Sequence, residues 1–376
     1  MVKRFFWVER LEEAFKRKTI IWLMGVRRAG KTTLAKSLEG VQYFDCELPR
    51  VRAQMADPES FLEGLQGKKI VLDEIHRLDN PSELLKIAAD HFPKIKIIAT
   101  GSSTLHSSFK FKDTLTGRKE EIWLTPMNDQ DLHDFGKKNM SHRLYRGGLP
   151  PFFLSDIYPE NQFQEWIDSY WAKDIQELFR IERRWSFQKL LELLFVNSGG
   201  IFEAASYASP CEISRTTVAN YLDVFESTQV AHIVRPFSSN RSSEIITAPK
   251  VYGFDTGFVC YYRGWNQLRK EDMGVLWEHY VLNELHSRLP GSPIQYWRDK
   301  QGHEVDFVIK NRGQPPVAIE CKWSARAFDP NALLIFRKKY PMGRNLVVAH
   351  DIDRPFVRKE KGIKIEFVNL KILQSL

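Results

Sequence analysis

Residues 25–32 read Gly-Val-Arg-Arg-Ala-Gly-Lys-Thr, and they match the phosphate-binding pattern G-x-x-x-x-G-K-[ST] at every fixed position. Residues 19–24 (TIIWLM), just before them, are β-branched and apolar, which is typical of a buried parallel strand. Residues 33–38 (TLAKSL), just after them, indicate the start of a helix. A glycine-rich turn between such elements directs successive backbone N–H groups at an anion. The octet therefore predicts a nucleotide-phosphate site; the alternative is a chance Gly-rich turn before a helix.

The side chains at the end of this loop have expected roles. Lys31 should reach the β- and γ-phosphates, and the Thr32 hydroxyl should bind Mg²⁺. Downstream, residues 69–74 (KIVLDE) form a short apolar strand that ends in two acids. We expect Asp73 to hold Mg²⁺ through water and Glu74 to polarise the attacking water. The alternative is a strand that simply runs into a charged loop.

Together these motifs predict a site for ATP and Mg²⁺. The residues expected to bind the nucleotide are Gly25, Val26, Arg27, Arg28, Ala29, Gly30, Lys31, Thr32, Thr33 and Asp73.

A third apolar strand, residues 96–100 (KIIAT), runs into the polar residues 101–103. A hydroxyl at its end could lie beside Glu74 and sense the γ-phosphate. Thr100 and Ser102 are both candidates, and the sequence does not rank them. Short apolar strands alternate here with helical stretches, which predicts an α/β fold: a parallel P-loop sheet with helices on both faces.

At this point the chain resembles a known family. GVRRAGKTTL, IVLDEIHRL and IIATGSSTL, followed by LTGR and IWLTPM, look like the AAA+-type ATPases of bacteria and archaea that carry a C-terminal domain of unknown function. The resemblance extends over nearly the whole chain. It implies that Arg118 contacts a nucleotide across a subunit boundary as an arginine finger, and hence a possible homo-oligomer. The alternative for Arg118 is an ordinary surface arginine.

Composition narrows the class of protein. The 376 residues predict two or three domains, and no apolar run approaches the ~18–20 residues of a membrane helix. The amino terminus lacks the apolar core of a signal peptide. The four cysteines are far apart, which is typical of a cytoplasmic protein without disulfides. The net charge of +8 is compatible with a nucleic acid partner, and we expect no membrane partner.

The middle of the chain contains a predicted winged helix-turn-helix. Residues 145–151 (YRGGLPP) mark a break, and the apolar residues of 160–195 recur at helical spacing. Within 199–254, two short helices are followed by a strand, a polar tip at 238–243 and a second strand. Such a fold can bind DNA or serve as a protein–protein spacer. The residues expected to be buried on its second helix are Val218, Tyr221, Leu222 and Phe225.

A second chemical signal lies near the carboxyl end of the chain. Residues 303–309 (HEVDFVI) and 317–323 (VAIECKW) alternate as two strands around a turn. If their registers agree, Asp306, Glu320 and Lys322 meet on one face of the sheet.

This arrangement resembles the PD-(D/E)xK metal-dependent nucleases. In them two carboxylates, here Asp306 and Glu320, hold Mg²⁺, while the lysine, here Lys322, activates water. Glu278 resembles the helix glutamate that this superfamily adds to the site. The alternative is a partly solvated face on which Glu320 and Lys322 form a weak pair.

The sequence thus predicts three segments. They are an AAA+-like ATPase domain over 1–150, a helical and winged-helix region over 151–255, and an α/β nuclease-like domain over 256–376. The predicted function is ATP binding and hydrolysis by a protein that acts on DNA. The alternatives are an ATP-regulated, Mg²⁺-dependent endonuclease and a regulatory or defence ATPase whose last domain only binds.

Overall fold

Two separate sheets organise the chain. The computed structural model describes residues 2–101, 115–136, 139–179, 181–238 and 248–375. Their contacts define two compact units. The first unit comprises Met1–Lys138, Leu149–Glu182 and Ser227–Val230, and the second comprises Asn139–Gly148, Arg183–Glu226 and Ala231–Leu376.

The first unit is built on a five-stranded parallel sheet with the order β2-β3-β4-β1-β5. The strands are β1 (Ile20–Met24), β2 (Val41–Asp45), β3 (Lys69–Asp73), β4 (Lys96–Thr100) and β5 (Lys119–Trp123). All five residues of β1, and the last four of both β3 and β4, are buried, as apolar runs covered on both sides should be. The predicted parallel α/β fold of the amino-terminal part is therefore confirmed.

Helices connect and cover these strands. The amino-terminal part contributes Phe5–Arg17, Lys31–Lys36, Pro49–Gln54, Pro58–Glu63, Pro81–His91 and Asp129–Asp134. A later segment of the same unit contributes Pro150–Phe153 and Glu160–Ser169, then a π-helical stretch, Tyr170–Ile175, that continues into Gln176–Phe179.

The second unit contains a nine-stranded mixed sheet with the order β13-β14-β12-β11-β10-β9-β7-β8-β6. Its strands are β6 (Gly200–Ile201), β7 (Ala231–Pro236), β8 (Lys250–Gly253), β9 (Ile294–Arg298), β10 (Glu304–Ile309), β11 (Val317–Lys322), β12 (Asn345–Ala349), β13 (Phe356–Glu360) and β14 (Ile363–Val368). Its helices are Met140–Arg146, Arg184–Val196, Ala204–Ala208, Arg215–Ser227, Thr256–Tyr262, Asp272–Arg288 and Asn331–Lys339.

The long helix Asp272–Arg288 is the central helix of the second unit. Apolar and polar residues on all its sides are buried, as expected of a helix enclosed by its own domain. The indole N–H of Trp277 donates to the carbonyl of Val348 on β12, 3.0 Å away. This contact ties the helix to the carboxyl end of a parallel strand.

The predicted helix-turn-helix region has the expected local elements. Ser214 accepts a hydrogen bond from Thr217 N at 3.1 Å and so caps the helix Arg215–Ser227. The predicted buried stripe of this helix is confirmed. Strands β7 and β8 pair in antiparallel fashion after it. Most of the predicted wing tip lies outside the described residues, and the winged-helix assignment stays a prediction.

The predicted segments with boundaries near residues 150 and 255 stay a prediction. The compact units group residues 149–182 with the first sheet and 183–226 with the second. Because β7 pairs with β9, strands from 200–253 and from 294–368 belong to one sheet. Among the described residues, no helix is both long and apolar enough to cross a membrane.

A buried ion pair anchors the amino terminus of the first unit. Arg4 donates from Nε and Nη2 to the Asp131 carboxylate at 2.8 and 2.6 Å, and from Nη1 to the carbonyl of Ala29 at 2.9 Å. The Arg4 side chain is only 5% exposed and that of Asp131 is fully buried. Removing one partner would leave the other charge buried and unpaired.

We expect Arg4→Ala to lower the free energy of unfolding by about 3 kcal/mol or more, measured by urea denaturation. The matched control is Lys3→Ala, whose partner Glu39 is 92% exposed. That control should change stability by less than about 1 kcal/mol. Equal effects of the two substitutions would contradict this account.

Candidate functional site

The loop predicted to bind phosphate has a backbone that only glycine allows at its two ends. Gly25 has a φ of +152°, and a Cβ there would lie 2.6 Å from the carbonyl oxygen of Leu124. Gly30 has a φ of +97°, in the left-handed region. Between them, Val26 and Ala29 are buried, so their contribution to a ligand would come from the backbone.

Lys31 lies across this loop. Its Nζ donates to the carbonyls of Gly25 and Val26 at 2.7 and 3.2 Å. Burial lowers the pKa of Lys31, and the nearby carboxylate of Glu74 works in the opposite direction. The ammonium group is therefore held at the mouth of the loop, in reach of whatever anion the loop binds.

Asp73 is the point where three hydroxyl groups converge. Thr32 Oγ1 donates to Asp73 Oδ2 at 2.9 Å, and the Tyr43 hydroxyl donates to the same oxygen. Thr100 donates to the other carboxylate oxygen. The donor set is oxygen only and contains a single carboxylate, which suits Mg²⁺ completed by phosphate and water. Thr32 and Asp73 would hold the ion.

Thr100 also connects Asp73 to Glu74, since its Oγ1 accepts a hydrogen bond from Glu74 N at 3.3 Å. It therefore lies where a γ-phosphate sensor was expected, whereas Ser102 lies outside the described residues. Tyr43 was not found by sequence reasoning. The position of Tyr43 was the available signal. It lies two residues before the end of β2, which pairs in parallel with β3 so that Asp45 lies opposite Asp73.

Glu74 has an unusual backbone for a non-glycine residue, with φ 51° and ψ 46°. Such strained residues concentrate at functional sites, where surrounding structure holds them. Burial raises the pKa of Glu74, an effect that Lys31 opposes. His76 Nδ1 lies 3.3 Å from its carboxylate without hydrogen-bond geometry. Burial lowers the pKa of His76 to about 4, so its ring is neutral at pH 7.

A cavity of about 330 Å³ opens at the loop. Its lining combines residues expected from the sequence with residues of the later helical segment. They are Arg27, Arg28, Gly30, Lys31, Thr32, Thr33 and Glu74 from the motifs, and Pro150, Pro151, Trp166 and Ser169 from that segment. The indole N–H of Trp166 donates to the carbonyl of Arg27 at 3.0 Å. Sequence reasoning placed this tryptophan in a core and missed its contact with the loop.

Arg118 lies outside this cavity lining. Its Nε and Nη2 donate to the two carboxylate oxygens of Asp90 at 2.7 and 3.1 Å. That contact is an exposed pair within one chain. The role of Arg118 across a subunit boundary stays a prediction.

In the second unit, Asp306, Glu320 and Lys322 lie together as the strand alternation indicates. Lys322 Nζ is 2.8 Å from Glu320 Oε2 and 3.4 Å from Asp306 Oδ2. The register pairs Phe307 with Ile319, which sets Asp306 beside Glu320 on neighbouring strands. The amide of Cys321 also donates to Asp306 Oδ2 at 2.7 Å.

A second lysine enters this group from β8. Lys250 Nζ lies 2.9 Å from Glu278 Oε1 and 2.8 Å from Glu304 Oε1, and its side chain is 5% exposed. Tyr252 donates its hydroxyl to Glu278 as well. Glu278 thus forms an ion pair with Lys250. Lys250 was missed because nothing local in its sequence distinguishes it.

The charges of this cluster are not balanced. Four carboxylates (Glu278, Glu304, Asp306 and Glu320) face three cations: Lys250, Lys322 and the partly exposed Arg298, whose Nη1 lies 3.6 Å from Glu304 Oε2. Burial, and then the neighbouring charge of Asp306, raise the pKa of Glu320 to about 8. Among the described residues, Glu320 Oε1 is buried without a hydrogen-bond partner. The same part of the chain contains no group of three or more His, Cys, Asp or Glu side chains arranged to hold a metal.

Comparison with known proteins divides the chain into three parts. The family model of an AAA domain matches residues 17–132. Two models described as domains of unknown function match residues 137–269 and 273–371. The residues that the AAA domain model matches include the loop at 25–32 and the strand that ends at Asp73, so this part of the first unit is similar to AAA domains.

Individual relatives extend this picture only slightly. Uncharacterized proteins of Mycobacterium bovis and Mycobacterium tuberculosis are each 29% identical over 320 residues, which covers 81% of this chain and 71% of theirs.

Among solved structures, a Walker-type ATPase of Pyrococcus abyssi covers 70% of this chain and 96% of its own, with 14% identity and a TM-score of 0.45. A complex of Thermococcus gammatolerans McrB AAA+ hexamers with McrC covers 67% of this chain and 74% of its own, with 13% identity and a TM-score of 0.25. At these scores the likeness is too weak to indicate what this chain binds.

The buried carboxyl of Glu320 should make stability depend on pH. Its raised pKa means that the folded chain keeps a proton between about pH 4.5 and 8 that the unfolded chain releases. Stability from this group is therefore lost as the pH rises through that window. We expect the free energy of unfolding of the wild type to fall by about 1–3 kcal/mol more than that of Glu320→Gln between pH 5 and pH 8.5.

The measurement is urea denaturation at several pH values with a metal chelator present. Glu366→Gln is the matched control, because Arg344 lowers the pKa of Glu366 and keeps it charged throughout this window. The control should show the wild-type slope. A Glu320→Gln protein with the wild-type slope would count against the raised pKa.

Proposed function

We propose that the protein binds and hydrolyses ATP with Mg²⁺ in the 330 Å³ cavity of the first unit. The proposal rests on four side chains that lie close together in the first unit. Lys31 and Glu74 line this one cavity, and Thr32 is hydrogen-bonded to Asp73 at its edge. These are the groups that ATP hydrolysis needs: a cation for the phosphates, oxygen ligands for Mg²⁺ and a carboxylate for water.

In the proposed reaction, the oxygen of a water molecule bonds to the γ-phosphorus while the bond to the β–γ bridging oxygen breaks. ADP leaves with that oxygen and its electron pair, and the proton of the water passes to Glu74 and then to solvent. Because burial raises the pKa of Glu74, its carboxylate is a better base than an exposed one. Lys31 binds the β- and γ-phosphates. When bound, Mg²⁺ neutralises charge on the phosphate oxygens.

DNA is the proposed partner of this ATPase. The net charge of +8 and the helix-turn-helix elements at 204–227 support a nucleic acid partner. The residues proposed to face bases or phosphates are Arg215, Thr216, Thr217 and Asn220. Assembly into a homo-oligomer in which Arg118 reaches a neighbour's nucleotide is part of the same proposal, as is a cytoplasmic location.

Lys31→Ala should abolish phosphate release, because the ammonium that binds the phosphates is gone. Glu74→Gln should still bind ATP and should hydrolyse it at least about 100-fold more slowly, because the carboxylate that takes the proton is lost. Both are measured as ADP production, with nucleotide affinity determined by calorimetry. Glu63→Gln, a change in a helix outside the cavity lining, is the control and should hydrolyse at the wild-type rate.

Adding DNA to the wild type tests the partner, and we expect it to stimulate hydrolysis. Undiminished phosphate release by Lys31→Ala would reject the ATPase proposal, and an unchanged rate with DNA would reject DNA as its stimulator.

A second candidate function, an Mg²⁺-dependent DNA nuclease, is favoured by one observation in the second unit. Lys250 pairs with Glu278, and Lys250 and Arg298 pair with Glu304, which leaves Asp306 and the unpartnered oxygen of Glu320 to face a cation. Lys322, bonded to both of these carboxyls, could orient or deprotonate the attacking water. When bound, Mg²⁺ would polarise the phosphodiester.

We expect supercoiled, linear or branched DNA to be cut in Mg²⁺ or Mn²⁺ by the wild type and at least about 100-fold more slowly by Asp306→Asn, which loses a metal ligand. Glu366→Gln, on a nearby strand of the same sheet, should cut at the wild-type rate. Cutting that survives Asp306→Asn would come from another site or a contaminant. A wild type that cuts none of these substrates would favour a last domain that only binds.

A further inference from the structure

The guanidinium of Arg27 is held by one edge only. Its Nε donates to the carboxylate of Asp174. Within the described residues, the two terminal nitrogens of Arg27 donate no hydrogen bond to the protein. The Arg27 side chain is 26% exposed and lines the 330 Å³ cavity. An arginine guanidinium is a rigid planar group with five N–H donors, so the donors on its two terminal nitrogens remain available to a ligand.

The anchoring of Arg27 is strong because it comes from a buried acid and a buried indole. Asp174 is 4% exposed and belongs to the π-helical stretch Tyr170–Ile175. Trp166, in the preceding helix Glu160–Ser169, donates its indole N–H to the Arg27 carbonyl. Short π-helical stretches are frequent at functional sites. One helical segment therefore holds both the backbone and the Nε edge of Arg27.

The charge of Arg27 acts on the groups that would surround the γ-phosphate. Burial lowers the pKa of Lys31, and Arg27 lowers it further. Burial raises the pKa of Glu74, and Arg27, after Lys31, opposes that rise. All three residues line the same cavity. Arg27 thus lies near both Lys31, the cation for the phosphates, and Glu74, the carboxylate for water.

We propose that Arg27 is a catalytic arginine supplied in cis, whose terminal nitrogens donate to the oxygens of the transferring γ-phosphoryl group, and that Asp174 is its positioning residue. This inference rests on the proposed ATP hydrolysis. As the water oxygen bonds to phosphorus and the bridging oxygen departs, negative charge on these oxygens is met by a fixed guanidinium. The proton of the water still passes to Glu74.

The contrast with Arg118 supports this assignment. Arg118 uses Nε and Nη2 on both oxygens of Asp90, in an exposed pair outside the cavity lining. Arg27 donates to Asp174 only through Nε, and the Arg27 side chain lines the cavity. A preorganised arginine that needs no rotamer change can stabilise the transition state without reorganisation.

The central measurement compares ADP with ADP–aluminium fluoride, a mimic of the transferring phosphoryl group. We expect Arg27→Ala to lower kcat about 100-fold or more, because the donors to the phosphoryl oxygens are lost. For the same reason, the affinity for ADP–aluminium fluoride should fall at least about tenfold. Its affinity for ADP should stay within about threefold, since ADP lacks the γ-phosphoryl group. Retained ADP binding also shows that the loop is folded. Arg27→Lys should recover part of kcat.

Asp174→Asn tests the positioning residue. It should lower kcat less than Arg27→Ala does. In the Arg27→Ala background it should lower kcat little further, because both changes remove the same Arg27–Asp174 contact. Asp168→Asn, the same substitution on the preceding helix and outside the cavity lining, is the matched control and should leave kcat unchanged. Fully additive effects of Asp174→Asn and Arg27→Ala would overturn the assigned role of Asp174.

Mixing variants tests whether Arg27 acts within its own chain. An equimolar mixture of Arg27→Ala and Lys31→Ala should stay inactive if Arg27 acts in cis. Restored hydrolysis would mean action between chains and would overturn the inference. An Arg27→Ala protein with kcat within about threefold of wild type would overturn it too, while loss of activity in Lys31→Ala still supported the ATPase. A wild type that neither binds ADP nor hydrolyses ATP would instead reject the proposed function.

Discussion

The conformation of residues 25–30 is the constraint on which the nucleotide site depends. Gly25 lies so close to the Leu124 carbonyl that no side chain fits. Polar backbone groups turned away from a ligand need partners, because an unpaired buried carbonyl is costly. Three long side chains supply donors to them: Arg4 to Ala29, Trp166 to Arg27, and Lys31 to Gly25 and Val26. The loop is therefore shaped by the surrounding unit as much as by its own glycines.

Both candidate sites concentrate charge where water is scarce, and the pKa directions reflect it. Burial lowers the pKa of Lys31 and raises that of Glu74 in the first unit. In the second unit burial raises the pKa of Glu320, while Asp306 and Glu320 keep that of Lys322 high. The pKa values of such buried groups shift strongly when a phosphate or cation binds, because each charged ligand changes the net charge of the cluster around them.

Local patterns in the sequence predicted much of the first sheet and one feature of the second. The apolar runs at 19–24, 69–74 and 96–100 became β1, β3 and β4, because a buried parallel strand needs a continuous apolar stretch. The alternation at 303–309 and 317–323 set Asp306 beside Glu320, because side chains on a strand repeat every two residues. The division into units was less accessible, since β7 pairs with β9 across about sixty residues of chain.

The sequence by itself determined the motif residues, the fold class of the amino-terminal part and the shared face of Asp306, Glu320 and Lys322. Each of these depends on neighbours in the chain or on a fixed period. Only the tertiary structure decided that Tyr43 joins Asp73, that Lys250 enters the acidic cluster between Glu278 and Glu304, and that Asp174 holds Arg27. Those partners are 28 to 147 residues apart. A contact across such a separation is set by how strands and helices pack, and no local pattern encodes it.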